Sequence, residues 1–210
     1  MTTNQISPET SPFSTVEWTV GRENFLASRI FGREAPLEIE IGFGKGRFLL
    51  KNAVNRPGTD FVGIERAGKY FRIARDRATK RRLTNLKLVR TDARLFVEEL
   101  LPDRSVDRVH VYFPDPWPKR RQHKRRLLDP PFLRILATKL RDGGEVHLAT
   151  DHAEYFRAIL LSFETEPGFA AAETPSADPE GLTNYEVKYR TEGRPIYRAL
   201  WTLRSESSRD

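Results

Sequence analysis

From Leu37 onward, short apolar runs of four to seven residues alternate with stretches in which apolar positions return every three or four residues. The runs suit strands buried on both faces of a parallel sheet, and the stretches suit helices that cross from one strand to the next. Strands are predicted near Leu37 to Ile41, Asp60 to Ile64, Leu86 to Val89, Val106 to Phe113 and Glu145 to Ala149. Helices are predicted after Gly46, over Tyr70 to Arg82, Ala93 to Leu100, Phe132 to Arg141 and Tyr155 to Phe163, with Arg22 to Phe31 a further one outside the core. After Pro167 the pattern becomes a polar loop. Two strand-like runs follow, Tyr185 to Tyr189 and Ile196 to Leu203, split by Glu192-Gly193-Arg194. They read as an antiparallel hairpin closing the sheet.

This alternation predicts a doubly wound α/β fold, mostly parallel, with a seven-stranded sheet and that C-terminal hairpin. With 210 residues there is room for one such domain, expected over 21–204, between a disordered tail at 1–20 and a short tail at 205–210. The first residues are polar and carry neither a basic leader nor an apolar stretch, which supports no signal peptide and no membrane span. Cysteine is absent, so disulfides, thiolate metal sites and cysteine nucleophiles are excluded, and a cytoplasmic location is expected.

Charge changes the picture through its distribution. Of a formal net charge of +7, Lys119 to Arg126 carries +6 and Arg66 to Arg82 carries +7, leaving the rest of the chain acidic by −6. Two basic segments on an acidic body are the footprint expected for a polyanion, since each phosphate contact needs a local cation. For Arg66 to Arg82 a solvated outer helix face is an equal reading.

The segment Glu38-Ile39-Glu40-Ile41-Gly42-Phe43-Gly44-Lys45-Gly46 joins the first of these strands to its helix through Gly42, Gly44 and Gly46. Such a turn lies at the carboxyl edge of a doubly wound sheet and lets a ligand approach the backbone, although it also serves as a tight turn with no ligand. Glu65 closes the second strand, placed to accept from both hydroxyls of a ribose, and Asp92 follows the third, within reach of an adenine amino group. A nicotinamide dinucleotide would use G-x-G-x-x-G with an anion at the helix N-terminus. Here the spacing is G-x-G-x-G directly after Glu40, which is unwelcome to pyrophosphate and welcome to a ligand carrying a sulfonium and an ammonium. No phosphate-binding G-x-x-x-x-G-K-[ST] loop occurs.

In Tyr112-Phe113-Pro114-Asp115-Pro116-Trp117-Pro118-Lys119, three prolines in five residues stiffen the backbone and hold Asp115 in place beside aromatic rings. Rigid placement is what a direct displacement reaction needs from its catalyst. A proline turn that merely covers the core is the alternative. The basic run Lys119-Arg120-Arg121-Gln122-His123-Lys124-Arg125-Arg126 follows at once.

FPDPWPK with its basic run ending KRR, together with EIGFGKG, GIE, TDA, ATD and the terminal TNYEVK with Gly193 and Ile196, resembles the tRNA (guanine-N(7)-)-methyltransferase family over about Leu37 to Leu203. In one departure, Gln122 stands where that family usually has a histidine, and His123 follows it. The resemblance implies a class I methyltransferase fold. It also implies transfer of a methyl group from S-adenosyl-L-methionine, leaving S-adenosyl-L-homocysteine, to N(7) of a guanine in the variable loop of tRNA. It implies cofactor contacts from Glu40, Gly42, Gly44, Gly46, Glu65, Asp92, Ala93 and Asp115, with Asp115 also catalytic. Substrate contacts fall to Lys119, Asp151, Thr183, Asn184, Tyr185 and Glu186, and RNA contacts to Arg121, Gln122, His123, Lys124, Arg125 and Arg126.

Guanine N(7) offers a lone pair and holds no proton, so its methylation needs no general base, and Asp115 is expected to orient groups and stabilise developing positive charge. Because N(7) faces the deep groove of A-form RNA, the base must be splayed out first. Tyr112, Trp117 and Tyr185 are candidates to stack on it, or core residues. Asp151 could equally cap the following helix. His110 and His147 fall inside strands, no spacing suggests a metal site, and no obligatory protein partner is expected of a monomer or homodimer. The rival readings are a methyltransferase for another RNA or a protein, a catalytically silent RNA-binding module, and a dehydrogenase.

Overall fold

The computed structural model describes residues 17–19, 24–174 and 182–205. Its centre is an eight-stranded sheet: β1 (Glu17–Trp18), β2 (Leu37–Ile41), β3 (Asp60–Ile64), β4 (Leu86–Val89), β5 (Val106–Tyr112), β6 (Leu140–Thr150), β7 (Phe169–Ala172) and β8 (Tyr197–Leu203). Spatial order is β1-β4-β3-β2-β5-β6-β8-β7, with the first six parallel and β8 antiparallel to both its neighbours. The order reverses between β2 and β5, which pair directly. In open α/β sheets the crevice at such a reversal, outside the carboxyl ends of the strands, is where ligands bind.

Two helical layers cover the sheet because each strand sends alternate residues to opposite faces. Ile39, Val62, Val109 and Val146 point to one face, where they pack with Phe31 of α1 (Ala27–Phe31), Phe96 and Val97 of the π turn that follows α4 (Ala93–Leu95), Leu133 of α5 (Pro130–Lys139), and Ile159 and Phe163 of α6 (Ala153–Glu164). On the other face, Phe61, Leu86 and Leu88 meet Leu49 and Leu50 of α2 (Arg47–Asn55) and Phe71, Ala74 and Ala78 of α3 (Gly68–Lys80). Each large apolar side chain buried in these layers contributes roughly 1.5–3 kcal/mol. Local chemistry sets the helix starts. Asp129 accepts from the Phe132 amide at 2.9 Å with Pro130 and Pro131 in the first turn, and Asp92 accepts from the amides of Arg94 and Leu95.

Four of the predicted strands, including Leu37–Ile41 and Asp60–Ile64, lie where the apolar runs put them, and the fifth, Glu145 to Ala149, lies inside the longer β6. The C-terminal hairpin is corrected: Tyr185 to Tyr189 belongs to a helix, α7 (Asn184–Thr191), and the antiparallel partners of β8 are β6 and β7. Of the expected tail at 1–20, residues 1–16 and 20 lie outside the described residues, whereas Glu17 and Trp18 pair with β4 and Trp18 packs edge-on against Phe25. In the stretch read as a polar loop, Phe169–Ala172 is a strand, and 175–181 lie outside the described residues, as do 206–210 of the C-terminal tail.

Candidate active site

The glycine turn after β2 is shaped by three left-handed residues, Gly42 (φ 75°), Gly44 (φ 54°) and Gly46 (φ 73°). Their roles differ. A Cβ on Gly42 or Gly44 would meet nothing within 4 Å, whereas one on Gly46 would lie 2.9 Å from the Ala74 Cβ. Gly42 and Gly44 therefore leave space for a ligand, and Gly46 lets α2 close on α3.

Two cavities share Gly42 as a wall. The larger, about 790 Å³, lies among the tips of β2, β3, β4 and β5 and is lined by Glu65, Asp92, Ala93, Asp115 and Trp117, with Arg66, Arg94, Lys124, Arg125 and Arg126 around it. The smaller, about 350 Å³, holds Glu40, Gly44, Phe48, Tyr70 and Tyr112 under Thr183, Asn184 and Tyr185 of the α7 start. Both volumes fall within the ~300–1,000 Å³ usual for small-molecule sites.

Glu65 uses its carboxylate to tie the turn together, with Oε2 accepting from the Gly44 amide at 2.9 Å and Oε1 from the Ala67 amide at 2.8 Å. Each oxygen keeps a second lone pair for a hydroxyl of a ligand. Asp92 spends Oδ1 on the α4 amides, while its Oδ2 stands 3.8 Å from Arg66.

Glu40 is the anomaly of the site. It is 2% exposed, and its Oε2 has no hydrogen-bond partner. Burial, with the Glu65 charge nearby, pushes its carboxyl up to about 8. An acid left buried and unpaired beside a cavity is destabilising unless a donor or cation arrives there. Beside it lies a paired network on the same sheet face. Glu38 Oε1 and Oε2 accept from Arg56, at 2.7 Å each, Oε1 also accepts from Arg108, and Oε2 meets His110 Nε2. Since a carboxylate only accepts, a neutral His110 carries its proton on Nε2 and accepts the Tyr112 hydroxyl at Nδ1, 3.0 Å away. Tyr112 is thus fastened by its only proton, and burial pushes that phenol well above its ordinary value.

The Asp115 loop leaves β5 with Phe113 at φ 53° and Trp117 at φ 45°, two non-glycine residues in the left-handed region on either side of Pro114-Asp115-Pro116. Such backbone costs on the order of 1 kcal/mol per residue and persists only where the surroundings enforce it. The Phe113 amide donates to the Ala149 carbonyl at 2.7 Å, and the Phe113 ring packs 6.0 Å from Tyr185 and 5.3 Å from Tyr189. Arg125 stacks 4.8 Å over the Trp117 ring.

Several expected site residues stand outside the two cavities or are engaged in the protein's own structure. Gly46 is internal packing, and Lys119 precedes the short 3-10 turn Arg120–Arg125, which presents Arg120, Arg121, Lys124 and Arg125 to solvent while Gln122 and His123 are half-buried. Asp151 pairs with Arg194, whose guanidinium lies 4.0 Å over the Tyr189 ring; the cap of α6 is His152, which accepts from the Tyr155 amide at 3.2 Å. Thr183 caps α7 by accepting from the Glu186 amide at 3.1 Å, and Glu186 is buried between Arg198 and Arg190. Arg126, grouped by its sequence with the RNA contacts, is 7% exposed and turned inward. The reading of the sequence missed Tyr70 and the cations Lys45, Arg47 and Lys188 at the smaller cavity. Lys45 and Lys188 were legible, the first between Gly44 and Gly46 and the second as the last residue of TNYEVK; Tyr70 carries no local signal.

Among the described residues no helix is long and apolar enough to cross a membrane, and no three His, Cys, Asp or Glu side chains are grouped to hold a metal ion. A family model described as "Putative methyltransferase" matches residues 34–199. The tRNA (guanine-N(7)-)-methyltransferase of Chromohalobacter salexigens is 36% identical over 190 residues, covering 87% of this chain and 75% of that protein. That of Bordetella pertussis is 40% identical over 173 residues (82% and 68%), and that of Thermotoga maritima 36% over 200 residues, where this chain spans 60% of the relative's length. Two solved structures share the fold at low identity. They are the 16S rRNA methyltransferase KamB (TM-score 0.63, 17% identical, 85% of this chain and 92% of that one) and TrmN from Thermus thermophilus (0.57, 21%, 84% and 46%). The strand order, the acid-lined crevice at its reversal and these relatives agree: the chain belongs to the tRNA (guanine-N(7)-)-methyltransferase family.

Proposed function

We propose that this protein methylates N(7) of a guanine in the variable loop of tRNA, with S-adenosyl-L-methionine as donor. One observation carries the reading: carboxylates from successive strand tips and from the proline loop line two cavities that meet at Gly42. That donor set suits a ligand with an adenosine at one end and two cationic groups at the other. Glu65 would take the ribose hydroxyls, Asp92 and Ala93 the adenine side, and Gly42 and Gly44 the backbone approach. Glu40, buried with a free oxygen, would meet positive charge. When bound, the cofactor supplies an electrophilic methyl group on a sulfonium.

The protein's own part is placement and electrostatics. Asp115, clamped between two strained residues, holds a negative charge at the crevice, where positive charge grows on the purine as its N(7) is alkylated. No side chain need remove a proton from that nitrogen. The exposed ring of Tyr185, beside Phe113 and Tyr189, offers a face for a splayed base. Arg120, Arg121, Lys124 and Arg125 on one side, and Lys45, Arg47 and Lys188 on the other, would take phosphates flanking it. Asp151 and Glu186 act through Arg194 and Arg198, which they orient.

Incubating the protein with methyl-labelled cofactor and unmodified tRNA, then locating the label by nuclease digestion and mass spectrometry, tests this. The expected product is 7-methylguanosine in the variable loop. Label at another atom, in another RNA or in protein would replace the reading, and cofactor-independent RNA binding with no transfer would favour a silent binding module.

A further inference from the structure

We propose that Arg126 is a positioning residue: it bolts the Asp115 loop to helix α6, and it is not one of the cations that grip RNA. Its Nε donates to the Pro116 carbonyl at 2.9 Å. Its Nη1 and Nη2 donate to the two carboxylate oxygens of Glu154, at 3.0 and 2.5 Å, in a fork-to-fork pair. Its guanidinium rests 4.6 Å over the Tyr155 ring. With 7% exposure and three of its five N–H donors spent on Pro116 and Glu154, Arg126 has little surface to offer a phosphate. Its neighbours Arg120, Arg121, Lys124 and Arg125 are exposed, so the basic run divides into an outer set for RNA and one inward anchor.

The need for an anchor follows from the loop's chemistry. Pro114, Pro116 and Pro118 have no amide hydrogen, so this segment can be tied down only through its few remaining donors and its carbonyls. Phe113 secures one end by donating to Ala149. At the other end a carbonyl must find a donor, and arginine is a side chain with donors only. Left-handed Phe113 and Trp117 store strain on both sides of Asp115. Without the bond to Pro116, that strain can relax by moving Asp115. A shift of about 1 Å at a reacting centre costs on the order of a hundredfold in rate.

This rests on the reading that Asp115 works at the reacting centre, and the test separates the two. Arg126→Lys keeps the charge but loses the fork, and Glu154→Gln, at a half-exposed position, leaves Arg126 a single neutral acceptor in place of the carboxylate fork without touching the core. Three quantities are measured for each: kcat at saturating tRNA and S-adenosyl-L-methionine, the tRNA Kd, and the slope of log affinity against log salt. The expected result is a kcat lowered tenfold to a hundredfold in both variants, with tRNA Kd within about twofold and the salt slope unchanged. Arg125→Ala is the contrast, a shallower slope by about 0.7–0.9, the contribution of one phosphate contact. Wild-type kcat in both variants, or tRNA affinity weakened at wild-type kcat, overturns the proposal. Should Arg126→Lys fail to fold, Glu154→Gln decides alone. If the unmodified protein methylates no tRNA, it is the functional reading that has failed.

Discussion

His110 on β5 and Glu38 on β2 share a buried hydrogen bond, Nε2 to Oε2 at 3.1 Å, and yet the imidazole is neutral. Burial, aided by His147 and Arg56, pushes His110 down to about 4 against the pull of Glu38. Burial alone would raise Glu38, but hydrogen bonds from His110, Arg56 and Arg108 outweigh it and hold that carboxyl well below the ordinary range. Unfolding frees His110 to bind a proton near pH 6.5, so its contribution to stability is complete above that pH and is lost as pH falls toward 4. Thermal midpoints of wild type and His110→Asn from pH 8 to 4 are expected to converge as the pH falls. A constant gap between the two would show that His110 does not titrate on unfolding.

Glu40 has the opposite sign. Its raised value means the folded protein keeps a proton that the unfolded chain releases, so this group makes stability fall as pH rises from about 4.5 to 8. Glu40→Gln, isosteric with the protonated form, is expected to flatten that decline. The same residue predicts proton release on ligand binding. At pH 7 a cationic cofactor meets a largely protonated Glu40 and must expel about one proton, and its affinity rises with pH toward 8. Titration calorimetry in two buffers of different ionisation enthalpy counts that proton. Glu40→Gln should show none.

Gly42 and Gly46 share a left-handed backbone but face different surroundings, and alanine separates them. Both substitutions incur about 1 kcal/mol of backbone strain. Gly46→Ala adds a clash with Ala74, for a total of about 2–4 kcal/mol in a urea melt. Gly42→Ala adds a methyl to the wall shared by the two cavities, so its main effect is a weakened cofactor Kd with little further loss of stability.

Asp115→Asn removes the charge and keeps the shape. If Asp115 stabilises developing positive charge, kcat should fall by about 10²–10³ with an unaltered pH profile. A shifted pH optimum with full activity at its plateau would instead mark Asp115 as a titrating acid or base.

The parallel half of the fold was legible because its strands are short runs rich in buried apolar residues, as at Phe61-Val62-Gly63-Ile64 in β3. The antiparallel half was not. Tyr185, Val187 and Tyr189 alternate as in a strand, but Thr183 and Glu186 stand at cap and third position of a helix, and that local capping prevailed. The true edge strand, Phe169-Ala170-Ala171-Ala172, carries small residues with no alternation to read. In the site, acids at strand tips were visible because a parallel sheet brings its carboxyl ends together. Which members of a basic run point inward depends on a 3-10 turn and on Glu154, 28 residues beyond Arg126, and no periodicity encodes that.

A crystal structure of the protein with S-adenosyl-L-homocysteine would show whether the strand-tip carboxylates hold the cofactor. The nucleoside is expected in the larger cavity, its ribose on Glu65 and its adenine beside Asp92, with the amino-acid arm passing Gly42 toward Glu40. A ligand seated away from these carboxylates, or none taken up at millimolar concentration, would contradict it.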